Sequence, residues 1–527
     1  MQPAQHPGRL LTLLGLVLTC AQAPAADQPQ WGEKYTHNMV SQEKGLPEWF
    51  DPGQVGPDGN IDLNSTKNVK WVARLGKQTH GTPVVAEGRV LVGTNNEIPR
   101  DPRITDDRGV LTCLDEQTGE FLWQLNVPKL VEHKYADWYN IGLCASPVVE
   151  NGRVYVVSNR CEVLCLDLQG MADGNQGPYT DEGRHMVAAG QTPLQPGPKD
   201  ADVLWVYDMY AEVGSRPHNA SNCSVLLVGD LLYVCTSNGV DWEHLRVSNP
   251  AAPTLIVLNK KTGKLVAKDD FRIGPDIIHG QWSSPTLGRV GGRDLVFQGA
   301  GNGCVYAVEA LDPAASPEKP LTLQTVWKFN GQPEAQTKDR VPLEHIHDSH
   351  SYEVTANPVF YNNRLYVPIT QEPFHNMKDG WLVCLDAAKT GDVTRSGIVW
   401  SYKMRSMTAT PAIHDGLVYL PDFWGRLHCF DAGTGRCCWT QEVGTKLSGS
   451  PLVADGKLYL GTIGHSTLWV MALGRQPKVI SQIRMRHEIY TTPVAANGVL
   501  YVATWKHLYA IRGGEKKPAK EAEGTGK

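Results

Sequence analysis

The stretch TPAIHDGLVYLPD, Thr410 to Asp422, opens with a small residue and Pro, then an apolar pair, then Asp415-Gly416, then alternating apolar residues. Asp-Gly between two period-two apolar runs is the signal of a hairpin whose two-residue turn needs positive φ. Working outward, LHCFD (Leu427–Asp431) supplies a third strand, and GTGRCCW (Gly433–Trp439) supplies a turn and the start of a fourth that carries Trp439. One unit of the chain is therefore four antiparallel strands long.

The unit repeats. The opening phrase returns at Thr82, Ser146, Ser284, Asn357, Ser450 and Thr492, and without its Pro at Asn222, giving eight copies in 527 residues. Further Trp residues stand at the fourth-strand position: Trp123, Trp205, Trp327 and Trp400. Four strands per unit and about eight units predict an all-β chain, an eight-bladed β-propeller. The eighth unit, Val494–Ile511, lacks a fourth strand, whereas Val69–Leu75 (VKWVARL) is an orphan strand ahead of the first unit. Pairing the two closes the ring and removes a free sheet edge.

Composition agrees with this reading and excludes others. Hydrophobic residues are 41% and charged residues 20%, a globular balance. Gly 52 and Pro 35 make about one residue in six a turn former. The net charge of −5 gives no basic surface for nucleic acid or anionic membrane. Arg9, the apolar run Leu10–Leu18 and the small residues Ala21, Ala23, Ala25 and Ala26 form an export signal over residues 1–26. The protein is expected to be exported, periplasmic or secreted, without a transmembrane segment; lipid attachment at Cys20 is the alternative. Residues 27–67 read as an N-terminal extension, 68–512 as the propeller, and the charged stretch from Gly513 (513–527) as a disordered tail.

The third-to-fourth-strand turn carries a second signature. Asp115-x-x-Thr118-Gly119-x-x-x-Trp123 returns as Asp431, Thr434, Gly435 and Trp439. This resembles the tryptophan-docking motif of pyrroloquinoline-quinone-type (PQQ-like repeat) propellers, over residues 68–512. The chain is similar to exported planctomycete members and to the lipoprotein of the outer-membrane β-barrel assembly machine. The resemblance implies that Trp packs between blades while Thr-Gly makes the turn. Two functions follow from it: a non-catalytic scaffold that binds a partner or ligand without a cofactor, or a dehydrogenase using pyrroloquinoline quinone (PQQ) and Ca²⁺ on an alcohol or sugar. Whether the chain is an enzyme stays open, and no catalytic residue is assigned. The adjacent Cys437-Cys438 resembles a vicinal pair known against the quinone, yet it falls in an outer strand, where consecutive side chains face opposite ways.

Insertions select a face. Second–third-strand loops are long in blades 1, 3 and 5 (95–108, 238–253, 371–380), and crossings are long at 128–142 and 331–352. All belong to one face; the other has one large insert, 168–201. Crossings end where innermost strands begin, so His80, Cys144, His218, Asn219, Asn222, His279, Gln281 and Trp282 are expected near the channel mouth. His218, Asn219, Asn222, Asp241, His279, Gln281 and Trp282 form the expected binding set for a protein partner or small polar ligand. Trp282 offers a stacking plane, and the amides and imidazoles offer directed hydrogen bonds. Asn222, Asn238 and Asp241 are the oxygen donors a Ca²⁺ site would draw on. A separate run, Glu344-His345-x-His347-Asp348-x-His350, has metal-ligand residue types, with His345, His347 and His350 as imidazole donors and His133, Asp137 or His375 as possible partners. The alternative for that run is a solvated polar loop.

Overall fold

A computed structural model describes residues 26–131, 135–332, 351–444 and 446–515. It is an eight-bladed antiparallel β-propeller. The blades span 84–128, 148–208, 226–268, 286–330, 359–405, 412–442 and 452–484, and the eighth joins 494–512 to Val69–Arg74. In that last blade Ala510 faces Trp71 and His507 faces Arg74, so the first long strand of the chain is the outer strand of the last blade.

The hairpin turns have the expected backbone. Asp415-Gly416 (φ 47° and 70°), Asn151-Gly152 (53° and 71°) and Asn497-Gly498 (51° and 73°) are positive at both central residues, and Asn362-Asn363 does the same in blade 5. In all eight blades the third and fourth strands carry a bulge at the same place, as between Cys429 and Phe430. Just before it a small residue faces a Trp: Cys113 opposite Trp123, Cys165 opposite Trp205, Cys384 opposite Trp400, Cys429 opposite Trp439. The repeated buried cysteines are thus room for an indole. All eleven described cysteines are free thiols, Cys437 and Cys438 among them.

Each docking Trp reaches the next blade. Its indole N–H donates to a backbone carbonyl there: Trp71 to Glu116, Trp123 to Leu168, Trp205 to Lys260, Trp327 to Ala387, Trp400 to Ala432, and Trp439 to Gly474, at 2.9–3.2 Å. Trp71 therefore ties blade 8 to blade 1. Asp115 Oδ1 accepts from the N–H of Gln117 and Thr118 and from the Thr118 hydroxyl, which shapes the turn. Gly119 then provides a bare platform, because a Cβ there would lie 2.5 Å from the Trp71 ring.

The inserts of the third-to-fourth turns reach backward. Blade 4's insert adds Leu321–Thr322 beside the outer strand of blade 3, and blade 5's adds Gly391–Asp392 beside that of blade 4. The insert after Asp167 in blade 2 bridges Asp200 to Gln124 of blade 1. It also runs up the flank toward the opposite face, where Arg108 donates to Met186 O and His185 Nε2 lies 3.0 Å from Glu162. These additions cover outer edges that would otherwise be unpaired.

Residues 26–41 run inside the ring. They pair with the innermost strands of five blades and the hairpin turn of a sixth: Asn497 N–H of the blade 8 turn to Ala26 O, Gln28 with Val85, Val149 N–H to Pro29 O, Leu287 N–H to Tyr35 O, the Asn38 amide with Ile413, and Val40–Ser41 parallel to Val453–Ala454. The segment leaves beside blade 7, and Leu46, Phe50 and Ile61 pack into the core shared by blades 7 and 8. The contacts sit toward the ends of the innermost strands nearest the hairpin turns, so this segment lines the turn-side half of the channel. Glu515 still pairs with the Asn68 side chain, and the rest of the tail lies outside the described residues. No helix among the described residues is long and apolar enough to cross a membrane.

Candidate functional site

The opposite end of the channel is built by crossings and second–third-strand loops. The crossing into blade 3 delivers His218, which donates its Nδ1–H to Val240 O at 2.9 Å. A carbonyl only accepts, so this bond fixes the tautomer and leaves Nε2 as the ring's lone-pair atom. The crossing into blade 4 delivers His279, its ring centroid 4.5 Å from that of His218. The second–third loop of blade 3 delivers His244, with centroids 4.6 Å from His218 and 5.1 Å from His279. His375, from the corresponding loop of blade 5, stands 5.1 Å from His279. Four imidazoles from three blades meet here.

Two carboxylates complete the cluster. Glu353 lies at the end of the crossing into blade 5, held by a two-way backbone pair with Thr370 at 2.8 and 2.9 Å. Glu372 follows Thr370 by two residues and accepts the Phe374 N–H at 2.9 Å, while its Oε2 is 3.6 Å from His279 Nδ1. Both are buried, and neither oxygen of Glu353 meets a hydrogen-bond donor among the described residues. Burial, then the charge of Glu372, pushes the Glu353 carboxyl well above the usual carboxylate range. Burial also pulls on Glu372, but hydrogen bonding and charge from His279 outweigh it and hold that carboxyl lower.

The expected binding set divides. His218 and His279 are packed together, and Trp282 joins them: its indole N–H donates to His218 O at 3.2 Å, and its ring meets His279 edge-on. Gln281 is buried alongside, donating to Asn238 O at 3.2 Å. Asn219, at φ 63°, serves the backbone, donating to Tyr135 O and accepting from Trp138 N–H at 2.7 Å. Asn222 is half-buried with its Oδ1 lacking a donor among the described residues. Asp241 turns into its own loop, where Oδ1 accepts from Leu245 and Arg246 N–H; this loop presents His244. Glu344, His345, His347, Asp348 and His350 lie outside the described residues, as does His133. Asp137 pairs with Lys129 at 2.5 Å and accepts from Asn159 at 2.8 Å.

These positions bear on PQQ and Ca²⁺. Ca²⁺ takes six to eight hard oxygen donors. Asn238 is used by Arg216 N–H and Asn249 O, and Asp241 by its loop. The mouth is instead rich in imidazole, which suits borderline transition metals. Among the described residues, Asn238 and Asp241 are thus already engaged, and the oxygen-lined ion that such a quinone site needs is not assembled from them.

Around the cluster stands a ring of exposed apolar side chains. Val131, Trp138, Tyr139, Trp242, Leu245 and Phe374 are exposed, and they include every exposed Trp, Tyr and Phe among the described residues. All lie on the 128–142 crossing or the blade 3 and blade 5 loops.

Comparison with known proteins places this architecture. The family model described as outer membrane protein assembly factor BamB matches residues 68–325 and 378–473, about two thirds of the chain. An outer membrane protein assembly factor BamB from Nitrosomonas eutropha is 31% identical over 109 residues, 20% of this chain and 26% of that protein. A quinohemoprotein alcohol dehydrogenase from Comamonas testosteroni is 34% identical over 61 residues, 11% of this chain and 9% of that protein. The chain thus spans about a quarter or less of the length of these curated relatives. The crystal structure of BamB from Moraxella catarrhalis superposes with TM-score 0.51 at 13% identity, covering 86% of this chain and 99% of that one. The chain belongs to the family of the outer membrane protein assembly factor BamB.

Proposed function

We propose that this protein is an exported scaffold that docks a protein partner on its loop-decorated face, around the channel mouth. The observation that carries the reading is the placement of the exposed aromatics. Trp138, Tyr139, Trp242 and Phe374 all stand on that face and nowhere else among the described residues. Exposed aromatic residues grouped on loops are the composition of an interface centre. The exported, periplasmic placement read from the leader agrees with family membership, and a relative named an assembly factor makes protein docking the natural use of the face. The dehydrogenase reading has weaker support, since two of the oxygen donors it would draw on, Asn238 and Asp241, are already engaged by backbone N–H groups.

The test is site-specific photo-crosslinking in the cell envelope. A photoreactive side chain at Tyr139 or Trp242 is expected to give a discrete adduct that disappears with Phe374→Ser. The same group at Asn151 or Asp415, on the hairpin turns of the opposite face, is expected to give none. Equal adducts from both faces, or none from the decorated face, would refute the proposal.

A further inference from the structure

His218, His244 and His279 place their ligand nitrogens within 4.8 Å of one another, and His279, Glu353 and Glu372 do the same with theirs. A tetrahedral ion with bonds of about 2.0–2.1 Å sets its ligand atoms about 3.3 Å apart. Small side-chain rotations close the remaining gap. We propose that His218, His244 and His279 bind one divalent transition metal ion of the zinc class, with Glu372 orienting His279 and Glu353 supplying a carboxylate to the ion or to its water.

Three features favour an ion over a packed polar cluster. The rings are presented as ligands are: His218 gives Nδ1–H to a backbone carbonyl, and His279 turns Nδ1 toward a carboxylate. The burial is otherwise hard to account for. His279 Nε2 and both oxygens of Glu353 are buried without a hydrogen bond among the described residues. Buried polar atoms left this way cost stability, and a cation supplies the missing partner. The charges also suit, since two buried carboxylates offset a dication. Imidazole donors select zinc, copper or nickel over calcium and magnesium. The N-terminal segment lines the turn-side half of the channel, so an ion enters from the decorated mouth. This proposal stands apart from partner docking, and either can fail alone.

The experiment uses the full mature chain without a histidine tag, stripped with a chelator and titrated with Co²⁺, followed by Zn²⁺ competition. One Co²⁺ per chain is expected, with visible d–d bands of a four- or five-coordinate nitrogen-rich site. His244→Ala, in a half-buried loop, is expected to weaken binding by more than about 100-fold, and Glu372→Gln by about 10–100-fold, as for a group that orients a ligand. His279→Ala is checked by thermal melting first, and its loss of binding counts only if the fold is retained. The triple change His345→Ala, His347→Ala and His350→Ala is expected to keep the bands. No d–d bands in the wild type, unchanged affinity in His244→Ala, or bands lost only in the triple variant would overturn the proposal.

Discussion

Replacing Gly435 by Ala should reveal how much one blade seam contributes. Gly435 has φ 72°, and a Cβ there would sit 2.5 Å from Cδ2 and Cε3 of Trp400. Non-bonded carbons rest at about 3.5–4.0 Å, so the overlap is about 1 Å. It is relieved only by moving Trp400, whose indole N–H is held by Ala432 O at 2.9 Å, or by parting blades 5 and 6. A left-handed Ala costs about 1–2 kcal/mol, and an overpacked contact adds about 1–3. Gly416 separates the two costs. Its φ is 70°, and a Cβ there meets nothing within 4 Å, so Gly416→Ala should lose the backbone part alone. The expected losses are about 2–5 kcal/mol for Gly435→Ala and about 1–2 for Gly416→Ala. Urea unfolding at neutral pH, followed by far-ultraviolet circular dichroism, reads the difference. In a Trp400→Ala background the packing part of the Gly435→Ala loss should vanish, as a double-mutant cycle reports. Equal losses at the two glycines would refute the argument that the Thr-Gly turn is a seat for the neighbouring indole.

Trp71→Ala should lower stability by about 3–5 kcal/mol, because it removes a buried indole and the bond to Glu116 O that joins the last blade to the first; urea midpoints measure it. Asn38→Ala should cost about 2–4 kcal/mol by the same measurement, since the Asn38 amide makes two 2.8 Å bonds to the Ile413 backbone and its loss leaves both groups buried and unpaired. His37, buried in the same segment, has its pKa lowered by burial to about 4 from 6.5. The unfolded chain then binds the extra proton first, so stability falls as pH drops from 6.5 toward 4, by about 2 kcal/mol at pH 5 from this group. His80 and His507, also lowered to about 4 by burial, add to the same fall, so His37→Asn should remove about 2 kcal/mol of the difference between pH 7 and pH 5 and leave the rest; an unchanged pH dependence would contradict the assignment.

The propeller was legible because its rules are local. Asp415-Gly416 states its turn within two residues, and Trp439 stands eight residues beyond the Asp431 that ends the preceding strand. Closure by Val69–Leu75 was readable as a subtraction, one strand missing and one to spare. The segment 26–41 was not, because its bonds are to strand edges and to the backbone of residues hundreds of positions away, which leave no period in the sequence. The site was half legible. His218, His279 and Trp282 end crossings, so topology alone sends them to the mouth. His244 and Glu372 arrive from second–third-strand loops and are unremarkable in their own neighbourhoods, whereas Glu353 ends the crossing into blade 5, so the rule that finds His218 reaches it too. Asp241 had the right chemistry for an ion ligand, but a carboxylate beside a tight loop finds its own backbone N–H groups first.

The segment inside the ring sets an order of events during synthesis. Its partners lie far along the chain: Asn38 bonds Ile413 across 375 residues, and Asp27 bonds Asn497 across 470. At about 5–20 residues per second, the segment 26–41 emerges roughly 20–90 s before those partners exist. Early blades can form as local hairpins, but the axis cannot be filled nor the last blade finished until the final strands have been made. The segment 26–41 therefore serves as a latch that engages only once the strands of the last blade have been made. A polypeptide stopped short of residue 494 would carry an unpaired outer strand, an exposed seam at Trp71 and an unfilled axis, all features that mark it for proteolysis.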